Sequence, residues 1–408
     1  MKIFGRHDEQ TIAQFEQVRE RAVDAALMAD GHVGYVMPIG GVAAYANRVS
    51  VVGVGFDIAC GNAAIRTDLT LEALGRTPEE VRVTLDGLAD DIASTVSFGV
   101  GRKNRADDAP VDHPLFDDPA WGAIPAKHRQ ALTLKAREQL GTVGSGNHYV
   151  DLFADEEGAL WVGVHFGSRG FGHTIASAFL AVGQGKMWGE RAPPHEVLLD
   201  VAEPAGHDYW HLMNLAGRYA YAGREWVARK VVSILGAEES ELVHNHHNLA
   251  WREEHGGEEL IVVRKGATPA FPGQKGFIGG SMGDDAVIVR GAQVGDGDSE
   301  LARTQREALF STVHGAGRVM SRTQAAGKRN RRTGAVISPG RVTPEMMHEW
   351  MQDKGVILRG GGLDESPHAY RRLPEVLAAQ EGTIELLHTL KPLVVVMAGA
   401  DEFDPYKD

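Results

Sequence analysis

The chain has 408 residues, a formal charge of −13, 43% apolar residues, 7% aromatic residues and a single cysteine. One cysteine excludes a disulfide-stapled domain, and the acidic balance excludes a nonspecific nucleic-acid coat, although a local basic cleft is compatible with any net sum. No run approaches the about 18 apolar residues that a membrane-spanning helix needs. The amino terminus, MKIFGRHDEQ, shows no apolar signal segment, so the expected compartment is the reducing cytoplasm.

The length fits one large enzyme fold or two domains. With no internal repeat and no clear linker, a single domain over 1–408 is expected. In chain order, apolar positions over 11–28 (Ile12, Phe15, Val18, Ala22, Val23, Ala26) follow a helical stripe, with Thr11 and Gln14 spaced as a capping box. The glycine-rich stretch after it holds Asp30 and His32, and Asp30 by itself reads as a turn residue. Residues 51–54 read as a buried strand leading to Asp57 and Cys60. Thr77, Pro78 and Glu80 mark a helix start whose buried face is Val81, Leu85, Leu88 and Ile92. Residues 99–125 read as a long irregular surface segment, followed by a helix over 126–140. A buried strand over 160–165 ends at His165, and GSRGFGH at 167–173 opens a helix. Helix is expected over 208–235, a strand-like run over 241–250, loop then strand over 266–291, and a strand-to-loop unit over 311–322. Thr343, Pro344 and Glu345 start another helix, and 390–397 is a closing strand.

The chemistry concentrates in four places. Asp57 and Cys60 offer a hard oxygen and a soft thiolate three residues apart. Alone, Cys60 would be an inert apolar filler, but Asn147-His148, His165 and His247-Asn248 lie in similar glycine-rich, strand-flanked sequence. Asp57, Cys60, His148, His165 and His247 would make a binuclear site with the thiolate bridging two divalent ions. In a strand, His244 and His246 share one face and His247 takes the other, with one of the two faces expected at the surface. His314 precedes Gly315, Ala316 and Gly317, where backbone can approach a phosphate, and Arg318 is positioned to neutralise it. Imidazole forms a labile phosphoramidate, so His314 suits a nucleophile; a metal ligand or general acid remains open on spacing alone. Arg169 directs a guanidinium towards an anion near a helix amino end. A basic surface loop over 322–334 carries Arg322, Lys328, Arg329, Arg331 and Arg332. The glycine patterns GVGFDIACG and GSRGFG match neither a Walker loop nor a dinucleotide fingerprint.

The blocks ADGHVGYVMPIGG, VGVGFDIACG, GTVGSGNHYVDLF, VHFGSRG, HHN followed by EEHGGEE, RKGATPAFPGQKGFIGGSMG, VHGAGRVMSRT, DESPHAYRRLPEVLAAQ and LHTLKPL, in this order, resemble the RtcB-type RNA ligases over nearly the whole length. The resemblance implies an α+β fold, one large domain with mixed and antiparallel sheets around a central metal site and helices at the periphery. It implies two manganese ions on Asp57, Cys60, His148, His165 and His247, although the donor types alone also fit zinc. It implies that His314 attacks GTP and carries GMP, which activates an RNA 3′-phosphate (produced from a 2′,3′-cyclic phosphate) for attack by a 5′-hydroxyl end. Asn147, Asp151, Ser281, Arg318, Tyr370 and the backbone of Gly315, Ala316 and Gly317 are then the nucleotide contacts. Asp30 joins the guanylylation step, and Arg169, Arg322, Arg329, Arg331 and Arg332 hold RNA phosphates. An archease-type activator and a monomeric or dimeric state also fall within what the resemblance implies. Asp151 replaces a glutamate of the pattern, Arg371 a lysine, and Ala398 the lysine near the family's carboxyl end, with residues 400–408 an added tail holding Lys407. The alternatives that share these residues are a binuclear phosphohydrolase, a 3′-end capping enzyme and a noncatalytic RNA-binding relative.

Overall fold

The computed structural model describes residues 2–293, 299–329, 336–380, 382–400 and 402. Its centre is a largely antiparallel sheet with strand order Lys275–Ile278, Ala286–Gly291, Ile384–Met397, Tyr149–Ala154, Ala159–Phe166, Gly61–Thr70 and Glu239–His246. Ile357–Arg359 adds a parallel strand beside Ile384–Met397. The two end strands approach each other, with Phe277 N donating to Asn245 Oδ1 at 2.8 Å, and Asn62 Nδ2 on the neighbouring Gly61–Thr70 donates to Phe277 O at 2.8 Å. The sheet therefore comes close to a barrel, and alternation puts Ala64, Phe153, Trp161, Val243, Phe277, Ile288 and Leu390 in its interior. A second sheet pairs Lys2–Ile3, Asp24–His32, Ile39–Tyr45, Glu258–Lys265 and Asn248–His255. At His247 the chain passes directly from the central sheet to the second, between Glu239–His246 and Asn248–His255.

Helices cover the barrel-like sheet from outside, so the α+β expectation holds. Pro204–Leu235 turns Tyr219, Ala220, Val227, Ala228 and Val231 inward, and Pro78–Thr95 buries Leu85, Ala89 and Ile92. The second of these starts as read from sequence, with the Thr77 side chain accepting from Glu80 N at 3.2 Å. Val81 and Leu88 pack at its edge. The helices Ala126–Gln139, Arg169–Gly183 and Pro344–Lys354 also fall where expected. Among the described residues, no helix is long and apolar enough to cross a membrane.

Several expectations are corrected. Residues 51–54 form a single helical turn, not a strand: Ser50 Oγ caps it from Gly53 N at 2.8 Å, and β-branched preference yields to that cap. The first helix is Glu9–Arg19, capped by Asp8, whose carboxylate accepts from Thr11 N at 2.9 Å, and Thr11–Gln14 is not a capping box. Residues 24–32 continue instead as a strand. Its interior positions are buried on both faces, so the apolar run has no alternation and passes for a helical stripe. Asp30 lies in that strand, fully buried, and is no turn residue. Within 99–125, the turns Pro114–Asp117 and Pro119–Ala123 send Leu115, Phe116, Trp121 and Ile124 into the core, so the segment is not all surface. The run 241–250 is two strands broken at His247. The His244–His246 face lies against Pro204–Leu235 rather than solvent, with Tyr221 stacked on His246 at 3.8 Å between centroids. Residues 322–326 form a helix and 327–329 a strand, where loop was expected.

Candidate metal centre

The barrel-like sheet ends on one rim, and its register gathers the chemistry there. Cys60 immediately precedes Gly61–Thr70, His148 immediately precedes Tyr149–Ala154, and His247 immediately follows Glu239–His246. Pairing aligns Gly61 with His246, Asn62 with His165, and His165 with Tyr149. Neighbouring strands lie about 4.8 Å apart, so residues at aligned ends meet without any sequence proximity.

All the expected ligands converge. Cys60 Sγ lies 3.6 Å from His148 Nε2 and 3.5 Å from His165 Nε2. His148 Nε2 is 3.0 Å from Asp57 Oδ2, and the rings of His165 and His247 stack at 5.1 Å. Ligand atoms of Cys60, His165 and His247 all lie within 4.8 Å of one another, and so do those of Asp57, Cys60 and His148. Cys60 belongs to both groups, as a bridging thiolate requires. Two buried imidazole nitrogens, His148 Nδ1 and His247 Nδ1, have no hydrogen-bond partner among the described residues. A mixed thiolate, imidazole and carboxylate set with unsatisfied buried nitrogens fits divalent transition metals.

The electrostatics agree. Burial, with His148 and His314 nearby, holds His165 well below the ordinary histidine value, and burial with His314 does the same for His247, so both rings are neutral and able to ligate. Burial pushes Asp57 upward, but the hydrogen bond and charge of His148 outweigh it and set the carboxyl at about 2. Burial and the Asp57 charge push the Cys60 thiol up, a cost that a divalent cation at the sulfur reverses.

The local backbone is built around these atoms. Ala59 and Arg169 are left-handed without being glycine, at φ 60° and 57°, a conformation that persists only when its surroundings hold it. Ala59 N donates to Asn248 O at 2.6 Å, and His247 N to Cys60 O at 2.9 Å. A Cβ on Gly144 would fall 2.0 Å from His148 Nδ1, and one on Gly167 2.1 Å from Asp57 Oδ1. Both positions therefore exclude a side chain for steric reasons.

His314 stands at the edge of this cluster, its ring 4.9 Å from that of His247. Its Nδ1 lies 2.5 Å from Asp30 Oδ2, and the same oxygen accepts from His314 N at 3.0 Å and Gly315 N at 3.3 Å. With Nδ1–H donated to Asp30, the lone pair of His314 is left on Nε2.

The expected nucleotide contacts are distributed around this point. Asn147 is exposed in the turn before His148, and Tyr149 stacks on His165 at 5.3 Å. Asp151 is buried, burial pushes its carboxyl well above the usual range, and its Oδ1 has no partner among the described residues. Ser281 Oγ donates to the Asp284 carboxylate, which also accepts from Arg372 at 2.8 Å. Gly315 approaches the 279–281 turn, where a Cβ on it would lie 3.3 Å from Gly279 O, and Ala316 is buried. Gly317 is left-handed and closely packed on Asp30 O. Arg318 is engaged by the protein itself: Nε to Met320 O, Nη1 to Glu365 at 3.0 Å and Tyr370 at 2.9 Å, Nη2 to Asp364 O. Tyr370 also donates to Glu365. Arg371 donates to the carbonyls of Ala29 and Gly31 on either side of Asp30.

Of the expected RNA contacts, Arg169 lies beside the ligands: a Cβ on Gly144 would be 2.6 Å from its Nη1, and it donates to Thr142 Oγ1 at 3.2 Å and Gly99 O at 3.1 Å. Arg322 is 3.1 Å from Glu365 Oε1 and reaches Gly146. Arg331 and Arg332 lie outside the described residues, as do Lys407 and the side chain of Arg329.

Sequence reasoning missed two residues that position the ligands. Asn62 Oδ1 accepts from His165 Nδ1 at 2.6 Å, which fixes the tautomer and turns Nε2 towards Cys60. Its signal was its place two residues after Cys60. Arg224 is fully buried and donates to Ala59 O, Phe166 O, His244 Nε2 and His246 Nδ1, tying the Cys60 and His165 segments together. A lone arginine on the apolar face of Pro204–Leu235, among Ala220, Val227 and Ala228, was the available signal.

Fold and donor set define a class, an α+β protein with a buried cysteine, histidine and carboxylate cluster suited to divalent metals beside a carboxylate-held histidine. The family model described as tRNA-splicing ligase RtcB matches residues 11–398. The RNA-splicing ligase RtcB of Escherichia coli (strain K12) is 32% identical over 392 residues, covering 91% of this chain and 89% of the relative. The tRNA-splicing ligase RtcB of Archaeoglobus fulgidus is 31% identical, with 91% and 87% covered, and that of Thermococcus kodakarensis 30% identical, with 97% and 95% covered. The chain belongs to the tRNA-splicing ligase RtcB family.

Proposed function

We propose that the protein is an RNA ligase that joins 3′-phosphate or 2′,3′-cyclic phosphate ends to 5′-hydroxyl ends, using GTP and manganese, in tRNA splicing or RNA repair in the cytoplasm. The observation that carries this reading is His314, locked by Asp30 with Nε2 as the nucleophilic atom and 4.9 Å from a ring of the ligand cluster. Two manganese ions, held by Asp57, Cys60 and His148 and by Cys60, His165 and His247, would polarise the phosphate and stabilise the departing oxygen.

Nε2 of His314 attacks the α-phosphorus of GTP; a P–N bond forms, the P–O bond to the β-phosphate breaks, and pyrophosphate leaves. Asp30 holds the Nδ1 proton and stabilises the positive charge that develops on the ring. The RNA 3′-phosphate, opened beforehand from its cyclic form by water, then takes GMP from His314 and returns the ring to neutrality. Attack by the 5′-hydroxyl on the activated 3′ end forms the phosphodiester and releases GMP. Asn147, Asp151, Ser281, Tyr370 and the backbone at 315–317 form the nucleotide contacts in this reading. Arg318 holds Glu365 and Tyr370 in place there, and Arg169, Arg322 and the basic segment after it receive RNA phosphates.

The test is radiolabelled GTP with manganese-loaded protein, with ATP as competitor. An acid-labile adduct is expected in the wild type and none in His314→Ala. A metal-loaded wild type that takes up no label at saturating GTP removes the reading, and phosphoester hydrolysis surviving in His314→Ala while lost in Cys60→Ala would replace it with a phosphohydrolase.

A further inference from the structure

Beside the metal cluster an aromatic row runs outward to the surface. Phe56 directly precedes the candidate ligand Asp57. Its ring meets Tyr35 edge-on, at 6.0 Å and 89°, and His173 on the other side at 5.7 Å and 31°. Tyr35 is 53% exposed. An exposed tyrosine by itself is ordinary, but this one is held in place. Gln14 clamps the residue before it at both polar atoms: its Nε2 donates to Gly34 O at 2.7 Å, and Gly34 N donates to its Oε1 at 3.0 Å. The turn carrying the ring is thus fixed before anything binds. Two cations lie at the His173 end of the row. Arg169 begins the helix that carries His173, and Lys135 Nζ would stand 3.1 Å from a Cβ on Gly170. On a chain of charge −13, positive charge near an exposed tyrosine ring backed by two partly buried rings complements a phosphate backbone with unstacked bases.

We propose that Tyr35 and Phe56, backed by His173, form a stacking platform for the unpaired bases next to an RNA end held at the metal cluster, with Lys135 and Arg169 taking the adjoining phosphates. The proposal rests on the ligase reading and supplies that reading with a subsite for its polymer substrate. Stacking on ring faces tolerates any base, which suits an enzyme that joins ends of differing sequence.

The experiment uses the full chain and a short single-stranded RNA with a 3′-phosphate, labelled away from that end, with affinity read by fluorescence anisotropy at fixed salt. Tyr35→Ala is expected to weaken binding roughly 5- to 100-fold, the effect of losing one base–aromatic stack, and Tyr35→Phe to restore it. Gln14→Ala, which leaves the ring and loosens its turn, is expected to fall between them. The same RNA with abasic terminal positions is expected to bind the wild type as weakly as the natural RNA binds Tyr35→Ala. Equal affinity of Tyr35→Ala and wild type, or of abasic and natural RNA, overturns the platform. The ligase reading is scored separately by the GMP adduct of the wild type: its presence alongside equal affinities removes the platform alone. Its absence with Tyr35→Ala still impaired removes the ligase reading and upholds a single-stranded RNA site.

Discussion

Asn62 shows how much of the site depends on side chains outside the candidate ligand set. It accepts the His165 Nδ1 proton at 2.6 Å and is itself fixed by donating to Phe277 O. Asn62→Ala removes both bonds and frees the His165 ring to turn. A loss of about 10- to 100-fold in divalent-metal affinity is expected, measured by calorimetric titration of the metal-free protein with manganese. An unchanged dissociation constant would show that the ring is held by packing alone. Asp30 works on His314 in the same manner, and its burial at the end of a strand explains why a turn reading of its sequence failed. Neither residue's role depends on a neighbour in sequence: Asp30 and His314 are 284 positions apart.

At the scale of elements, the strand ends do the positioning. The turns that carry His148 and follow His165 must pass so close to ligand atoms that only glycine fits. Gly144→Ala would place a methyl 2.0 Å from His148 Nδ1. Either the ring or the turn must move, and the ring, a side chain, is expected to give way. The expected result is a stability loss of about 1–3 kcal/mol by urea denaturation together with at least a tenfold loss of metal affinity. A variant that binds manganese like the wild type would mean the turn shifts instead of the ring. The helical turn Val51–Val54 matters for the same reason, since its cap at Ser50 and the left-handed Ala59 aim Asp57 and Cys60 back across the rim.

For the molecule as a whole, burying neutral histidines gives stability a pH dependence. Burial holds His165, His244, His246 and His247 well below their ordinary 6.5, and sets His32 at about 4. In the unfolded chain these rings take up protons below 6.5, while in the fold they stay neutral. Their contribution is therefore present above 6.5 and is lost as pH falls from there towards the folded values, by about 1 kcal/mol per pH unit for each histidine. The metal-free protein is expected to unfold at clearly lower urea at about pH 5.5 than at about pH 7.5. Equal midpoints would mean that the rings are charged in the fold. Asp57, at about 2, adds its own loss only below the ordinary 3.8.

Residue type and order alone determined the chemical inventory: a lone thiolate with a carboxylate three positions away, histidines in glycine-rich turns, and a distinct histidine before Gly-Ala-Gly. They also determined the helices whose caps are local, such as those begun by Thr77 and Thr343. The tertiary structure decided which strand each ligand terminates and which partner each ring receives. It placed Asp30 under His314 and Asn62 behind His165, and it set Arg224 between two carbonyls far apart in the chain. The reason is range. Caps and apolar periodicity are written within a few neighbouring residues, whereas convergence at a sheet rim is fixed by hydrogen-bond register between strands far apart in sequence. Where a strand is buried on both faces, as at 24–32, even the local pattern that would mark it is missing.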